Sequence, residues 1–348
     1  MSDASSSKFL NRKQVNETLS RKITIALDAM GGDNAPVEIC KGAYEACTQY
    51  EDIEIILTGD TKRINACLTP HERIHLQQAS EIIDPDEHPA NAIRKKKDSS
   101  LRVAMEMVRH GDAQGCISAG STGAIVAGGV LVVGRIDGID RPALGIPVPS
   151  TGNVSFMLDV GATVRCKPEN LLQFALMGSV YSRKILGVEN PQVKLLSNGS
   201  EDIKGDDTVL AARELIERQG ALNFGSYIEG NEVFFGKADV IVCDGFNGNI
   251  ALKLGEGLIQ GLKSMLTDEV KNSLMAKAGI LLLAPTVKKL LARFNYEKYG
   301  GTPLLGVKGA VLKAHGRSKS PAIVSAISAA RKFIAEDGTE QINRDIER

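Results

Sequence analysis

Ile23-Thr24-Ile25-Ala26-Leu27-Asp28-Ala29-Met30-Gly31-Gly32-Asp33-Asn34-Ala35-Pro36 sets the architecture. Its first residues are β-branched and aliphatic, as in a buried strand, and Pro36 suits the first turn of a helix running to about Tyr50. Between strand and helix lie paired glycines and two short polar side chains. Strand, glycine-rich turn and helix in succession open a βαβ unit. Paired glycines let a backbone approach a ligand closely, and the free N–H groups of a helix start favour an anion. Gly31, Gly32, Asp33 and Asn34 are therefore candidate phosphate contacts, although a tight turn capped by Asp33 or Asn34 explains the same residues.

The same grammar recurs downstream. Further strands are expected at Ile53–Thr58, Gly115–Ser118, Ser155–Asp159, Val193–Ser197 and Val240–Cys243, with a second helix from Pro168 to about Leu186. This alternation predicts an α/β fold around a mainly parallel sheet. Glycine-rich polar turns follow nearly every strand: Ser118–Ala124, Asp159–Thr163, Asn198–Gly205 and Asp244–Asn249. In open α/β sheets ligands sit in the crevice beyond the strand ends, so turns gathered there predict one composite site. Pro, Gly and Ser accumulate between Pro142 and Gly152, which marks the expected seam between two subdomains.

Among these turns Ser118-Ala119-Gly120-Ser121-Thr122-Gly123 is the strongest phosphate cradle, with three hydroxyls, two glycines and no bulky group. Neither a GxxxxGK[ST] loop nor a GxGxxG opening a helix after a strand is present. The GEGLIQG run from Gly255 lies inside a helical pattern, so ATP and NAD sites of the common kinds are disfavoured. Near the C-terminus, Tyr299–Val307 and the KAHGRS run from Lys313 place His315 between flexible turns. Asp28, Asp33, Asp159 and Asp244 fall at strand ends, where orienting a helix or a lysine is expected rather than holding a metal.

The 348 residues carry 42 basic and 42 acidic side chains, so no global field attracts nucleic acid. Six cysteines are scattered without metal-site spacing and are expected as reduced thiols of a cytoplasmic protein. Met1–Arg21 lacks the apolar core of a secretory signal and is expected as a disordered extension. No apolar run approaches the roughly 20 residues needed to span a bilayer. Two local basic groups stand out. Arg94-Lys95-Lys96-Lys97 offers either a steering patch or a solvated face, and Lys288, Lys289 and Arg293 share an amphipathic helix with Leu290, Leu291 and Phe294.

In this order the motifs resemble the phosphate acyltransferase family, which converts an acyl carrier protein thioester and orthophosphate into acyl phosphate and free carrier. The resemblance runs from about Lys22 to Glu336 and includes LDAMGGDNAP from Leu27, RKKKDSS from Arg94, CISAGSTGA from Cys116, GRIDGIDRPAL from Gly134, LDVGA from Leu158, QFALMGSVYSRKILG from Gln173, VCDGFNGNIALK from Val242 and KAHGRS from Lys313. Asn34, Ser121, Thr163, Arg165 and Asn247 depart from the family's usual residues. The resemblance implies a three-layer body like phosphotransacetylase and isocitrate or isopropylmalate dehydrogenase, a large mixed sheet with helices on both faces. It also implies a homodimer, no cofactor and peripheral contact with an anionic membrane. A membrane-bound glycerol-3-phosphate acyltransferase would consume the product. Within residues 22–336 a helical hairpin is expected near 265–295, and residues 337–348 are expected as a tail.

The chemistry follows from the reactants. Phosphate is already an anion and a thiol with a pKa of about 8.5 leaves readily, so positioning and oxyanion stabilisation suffice. Lys204 and Lys253 are the candidate cations, and His315 is the candidate to assist the departing thiol. Arg94–Lys97 would meet the acidic carrier, and the 285–294 helix the membrane first, with an acyl chain or a second subunit as the alternatives. Phosphorolysis of a thioester needs no Lewis acid, so activity is expected to survive chelation. Three rivals stay open: a short-chain phosphotransacetylase using acyl-CoA, an NAD-dependent decarboxylating dehydrogenase, and a non-catalytic acyl-thioester or lipid-binding regulator.

Overall fold

The computed structural model describes residues 22–152, 154–272, 274–293 and 300–347. Eleven strands form one sheet: β1 (Ile23–Asp28), β2 (Ile53–Gly59), β3 (Ile74–Gln78), β4 (Gly115–Ser118), β5 (Ala143–Pro149), β6 (Val154–Leu158), β7 (Gln192–Ser197), β8 (Asn223–Glu229), β9 (Val240–Val242), β10 (Thr302–Leu305) and β11 (Ala310–Lys313). Their spatial order is β3-β2-β1-β4-β11-β10-β5-β6-β9-β7-β8. β1 pairs in parallel with β2 and β4, and β4 with β11. β10 is antiparallel to both β11 and β5, and β5 is antiparallel to β6. The strands from β6 to β8 therefore run opposite to β1, β2, β3, β4 and β11, which makes the sheet mixed.

Alternation along each strand builds two cores, because successive side chains point to opposite faces. Ile25, Leu27, Ile117, Leu158 and Leu312 join one buried cluster, while Ala26, Cys116, Met157 and Val311 join the other. The first is covered by α1 (Val37–Gln49), α6 (Pro168–Tyr181), α10 (Ser320–Ala335) and α11 (Gly338–Ile346) through Ile39, Phe174, Ile323 and Ile342. The second is covered by α3 (Pro89–Lys95), α4 (Ser100–His110) and α5 (Thr122–Gly128) through Ile93, Met105 and Ile125. Helices thus lie on both faces, as the resemblance implied. The short α2 (Thr61–Asn65) and the amphipathic α7 (Asp207–Gln219) complete the body.

All six expected strands are present within a residue or two at each end, and the Pro168 helix continues through a π-helical turn, Ser182–Leu186. Residues 142–152, expected as a seam, hold the central strand β5, whose Pro147 and Pro149 lie beyond the two positions, Ala143 and Leu144, where β10 pairs with it. A proline needs no acceptor there, so the missing N–H costs little. Residues 337–348, expected as a tail, carry α11, which packs on α6 and buries Ile342.

α8 (Gly245–Asn272) and α9 (Leu274–Arg293) pack together as a hairpin that begins well before the expected residue 265. Among the described residues no helix is long and apolar enough to cross a membrane. The expectations for residues 1–21, for Phe294 and for the side chains of Lys289, Leu290, Leu291 and Arg293 lie outside the described residues. Lys288, on α9, is exposed.

Candidate functional site

The first knot of the site is tied by Asp28 at the end of β1. Its Oδ1 accepts from the Met30 N–H at 3.1 Å, and its Oδ2 accepts from the Ser118 hydroxyl at 2.6 Å. Ser118 Oγ in turn accepts from the Gly120 N–H at 3.0 Å. The turns after β1 and β4 are thereby joined beneath the surface. Burial pushes the Asp28 carboxyl up from its ordinary value, against hydrogen bonds from Ser100 and Ser118. Gly31 is required here, since a Cβ would sit 2.5 Å from Asp28 Oδ2 and 2.9 Å from the Gly120 nitrogen.

The turn after β11 is drawn into the same group. The Asp33 N–H donates to the Gly316 carbonyl at 2.8 Å, and Asn34 Nδ2 donates to the carbonyls of Arg317 and Ser318 at 3.1 and 3.3 Å. Asn34 thus clamps one turn to another.

A second knot lies across the crevice at Asp159, just past β6. Oδ1 accepts from the N–H groups of Leu144, Gly161 and Ala162, and Oδ2 from that of Thr163 at 2.6 Å. Burial pushes this carboxyl up to about 6, against the four backbone donors, which favour its ionised form. The Gly245 N–H donates to the Thr163 carbonyl at 2.9 Å, which brings the turn after β9 alongside. Asp244 caps α8 by accepting from Phe246 and Asn247 N–H groups at 2.8 and 2.9 Å.

Between the knots lies a cavity of about 450 Å³. Thr122, Gly123, Asn249, Lys253, Glu256, Lys313, His315 and Ser318 supply its polar wall, and Leu144, Ile146, Val160 and Leu252 its apolar one. His315 Nδ1 accepts from the Arg317 N–H at 3.2 Å, which assigns the proton of the neutral ring to Nε2. Burial lowers the Lys313 ammonium below its ordinary pKa, while Glu256 pulls it back up. Among the described residues no cluster has the makings of a metal site. A larger groove of about 930 Å³ lies at the opposite ends of β1, β4 and β11, beside Ile23, Gln114 and Gly309, away from the glycine-rich turns.

The sequence-predicted residues divide cleanly. Thr122, Gly123, Lys253 and His315 line the cavity. Gly31, Gly32, Asp33, Asn34, Ser118 and Gly120 form the layer that positions these walls, and the hydroxyl of Ser118 is spent on Asp28. Ser121 begins α5 and makes no capping bond. Lys204 is not brought to the cavity; it belongs to the Asn198–Gly205 turn, where its N–H donates to the Glu201 carbonyl. Lys313, Ser318, Asn249 and Glu256 were missed. The signal was present for the first two in the KAHGRS run, but β11 is only four residues long and escaped notice.

In the basic run, Lys96 is committed to Glu87 and to the Ile82 carbonyl, whereas Arg94, Lys95 and Lys97 are exposed. Pro89, at the start of that helix, abuts Gly123, where a Cβ would approach Pro89 Cγ to 2.5 Å. The exposed cations therefore stand one helix away from the cavity wall.

A sequence model of the "Fatty acid synthesis protein" family matches residues 23–341. "Phosphate acyltransferase" of Heliobacterium modesticaldum is 48% identical over 327 residues, covering 92% of this chain and 97% of the relative. The chain belongs to the phosphate acyltransferase family. A second member, "Phosphate acyltransferase" of Thermoanaerobacter pseudethanolicus, is 42% identical over 93% of this chain and 97% of its own length. Among solved structures, a phosphotransacetylase from Streptococcus pyogenes aligns with a TM-score of 0.61 at 15% identity, over 94% of this chain and 98% of its own. The EutD phosphotransacetylase from Staphylococcus aureus aligns with a TM-score of 0.58 at 17% identity, over 92% and 97%. These two likenesses place this member of the family on the phosphotransacetylase fold.

Proposed function

We propose that this chain transfers a fatty acyl group from the thioester of an acyl carrier protein to orthophosphate, releasing acyl phosphate. The observation that carries the reading is the single cavity formed where the turns after β4, β6 and β11 meet the first turns of α8, with cations and hydroxyls on one wall and aliphatic side chains on the other. A phosphate oxygen attacks the thioester carbon, the C–S bond breaks, and the proton of hydrogen phosphate ends on the departing sulfur. Lys253 balances the charge of the dianion, Thr122 donates a hydroxyl to it, and Nε2–H of His315 donates a hydrogen bond to the departing sulfur while that sulfur takes up the phosphate proton. The apolar wall of Leu144, Ile146, Val160 and Leu252 receives the first carbons of the acyl chain.

The family name supports phosphate as acceptor. The acidic carrier is proposed from the exposed Arg94, Lys95 and Lys97 beside the cavity. The proposed fate of the product is acylation of glycerol 3-phosphate by a membrane-bound acyltransferase in phospholipid synthesis. Phe246, Ile250, Leu254, Leu258 and Leu262 form an exposed apolar row along α8 at four-residue spacing. That row supports a covering partner, for which a second copy of the chain and an anionic bilayer are the proposed occupants.

The test mixes purified protein, long-chain acyl carrier protein and phosphate, and looks by mass for acyl phosphate, with short-chain acyl-CoA as the comparison donor. Acyl phosphate formed from the carrier is expected. Replacing Ser121 and Thr122 together by alanine is expected to raise the phosphate requirement several-fold, about the loss of one or two neutral hydrogen bonds. Product from acyl-CoA alone selects the phosphotransacetylase reading, and product from neither donor removes acyl transfer.

A further inference from the structure

Lys313 is the last residue of β11, flanked in register by Ser118 of β4 and Thr302 of β10. Both neighbours are central strands, so its ammonium is carried into the cavity on the most rigid part of the fold. Among the described residues it forms no ion pair, and its nearest counter-charge is Glu256 across the cavity on α8. An ammonium withdrawn from water without a partner is costly. The cost is recovered when an anion occupies the space in front of it.

Five residues on, Ser318 shows a second unmet demand. Ser318, which lines the same cavity, is 2% exposed, and its Oγ is buried without a hydrogen-bond partner. The loop that holds it is fixed from behind by Asn34, which takes the Arg317 and Ser318 carbonyls, so the hydroxyl is not free to swing out to water. Buried hydroxyls are almost always satisfied, which makes this one a marker for a bound group. Lys253, Lys313 and Glu256 together leave the cavity one positive charge in excess, before any contribution from His315.

We infer that Lys313 and Ser318 are the phosphate-binding pair of this site, an ammonium and a hydroxyl that close on the oxygens of orthophosphate and hold it against the acyl carbonyl. This rests on the proposed reading of the cavity and assigns within it the phosphate contacts beyond the one that Thr122 makes. Apart from Thr122, those turns use their hydrogen-bonding groups to hold one another, whereas Lys313 and Ser318 line the cavity with no such partner for theirs among the described residues.

Two independent measurements separate the assignment from the reading. Binding is followed by the rise in Tm of the full chain as inorganic phosphate replaces chloride at constant ionic strength; turnover is followed as acyl phosphate formed. In Lys313→Met the half-saturating phosphate concentration is expected to rise tenfold or more, about the loss of a charge-assisted hydrogen bond, with KM for the acyl donor nearly unchanged. In Ser318→Ala the same shift is about threefold. Lys313→Arg keeps the charge. Because burial lowers the Lys313 pKa, wild-type phosphate affinity is expected to weaken as the pH rises through that lowered value. Glu256, Lys253 and His315 face the same space and remain in both proteins, so loss of this alkaline limb in Lys313→Arg isolates residue 313.

Should Lys313→Met keep its phosphate dependence, or change only the KM of the acyl donor, the assignment is wrong while the reading stands. Should the wild type neither bind phosphate nor form acyl phosphate, the reading itself is wrong. If Lys313→Met does not fold, an alkaline limb that survives in Lys313→Arg overturns the assignment.

Discussion

Asp28 and Asp159 occupy matching places in the two halves of the molecule, each at a strand end, each buried, each against a glycine where a Cβ would strike its Oδ2. They hold their surroundings differently. Asp28 uses a hydroxyl as intermediary: Oδ2 takes the Ser118 O–H, and Ser118 passes the bond on to Gly120. Asp159 uses no side chain. Its oxygens take four backbone N–H groups directly, three from its own turn and one from Leu144 of β5. A knot that passes through a hydroxyl can reorient when one member changes, because a hydroxyl both donates and accepts. A knot of backbone donors cannot, because no N–H can reverse.

That contrast predicts a clear order of effects. Asp159→Asn turns one acceptor oxygen into an N–H₂ group facing fixed donors, so it is expected to cost about 1–3 kcal/mol, the penalty for a buried donor left unpaired, read as a fall in the urea midpoint. Asp28→Asn keeps an oxygen for the Met30 N–H and can donate its amide to Ser118 Oγ. Its expected cost is about 1 kcal/mol or less. A larger loss for Asp28→Asn than for Asp159→Asn would break the comparison.

The smallest effect sharpens it. The two knots share no hydrogen-bond partner, so Asp28→Asn with Asp159→Asn is expected to be additive to within about 0.5 kcal/mol. Coupling well beyond that would mean that the two halves communicate through the cleft. It would require a description in which the walls move together.

Much of this was legible along the chain because it is local. Ile23–Asp28, Gly115–Ser118 and Ser155–Asp159 are short β-branched or aliphatic runs closed by glycine, and the folded chain has strands there within a residue. Thr122, Gly123 and His315 are marked by the turns that carry them and Lys253 by its charge, and all four line the cavity. The failures share a cause in pairing. β5 was hidden by its prolines, which are tolerated only because β10 stops after two paired positions. β10 and β11 are four residues each and gain their order from neighbours distant in sequence. Lys204 lies off the cavity, which sequence does not reveal, because a lysine in a glycine-rich turn looks the same whether or not the turn faces the cleft.

Spacing and residue type alone were enough to dictate an α/β body with phosphate-suited turns at strand ends, since helix and strand periods and glycine's backbone freedom act over a few residues. Which turns meet, which hydroxyl is consumed and which lysine loses its water depended on the order and direction of eleven strands. Ser118 and Ser318 are the same residue type in similar turns, yet one is spent on a carboxylate and the other is buried beside the cavity without a partner. Only the packed structure separates them, because burial and hydrogen-bond partnership are properties of neighbours in space.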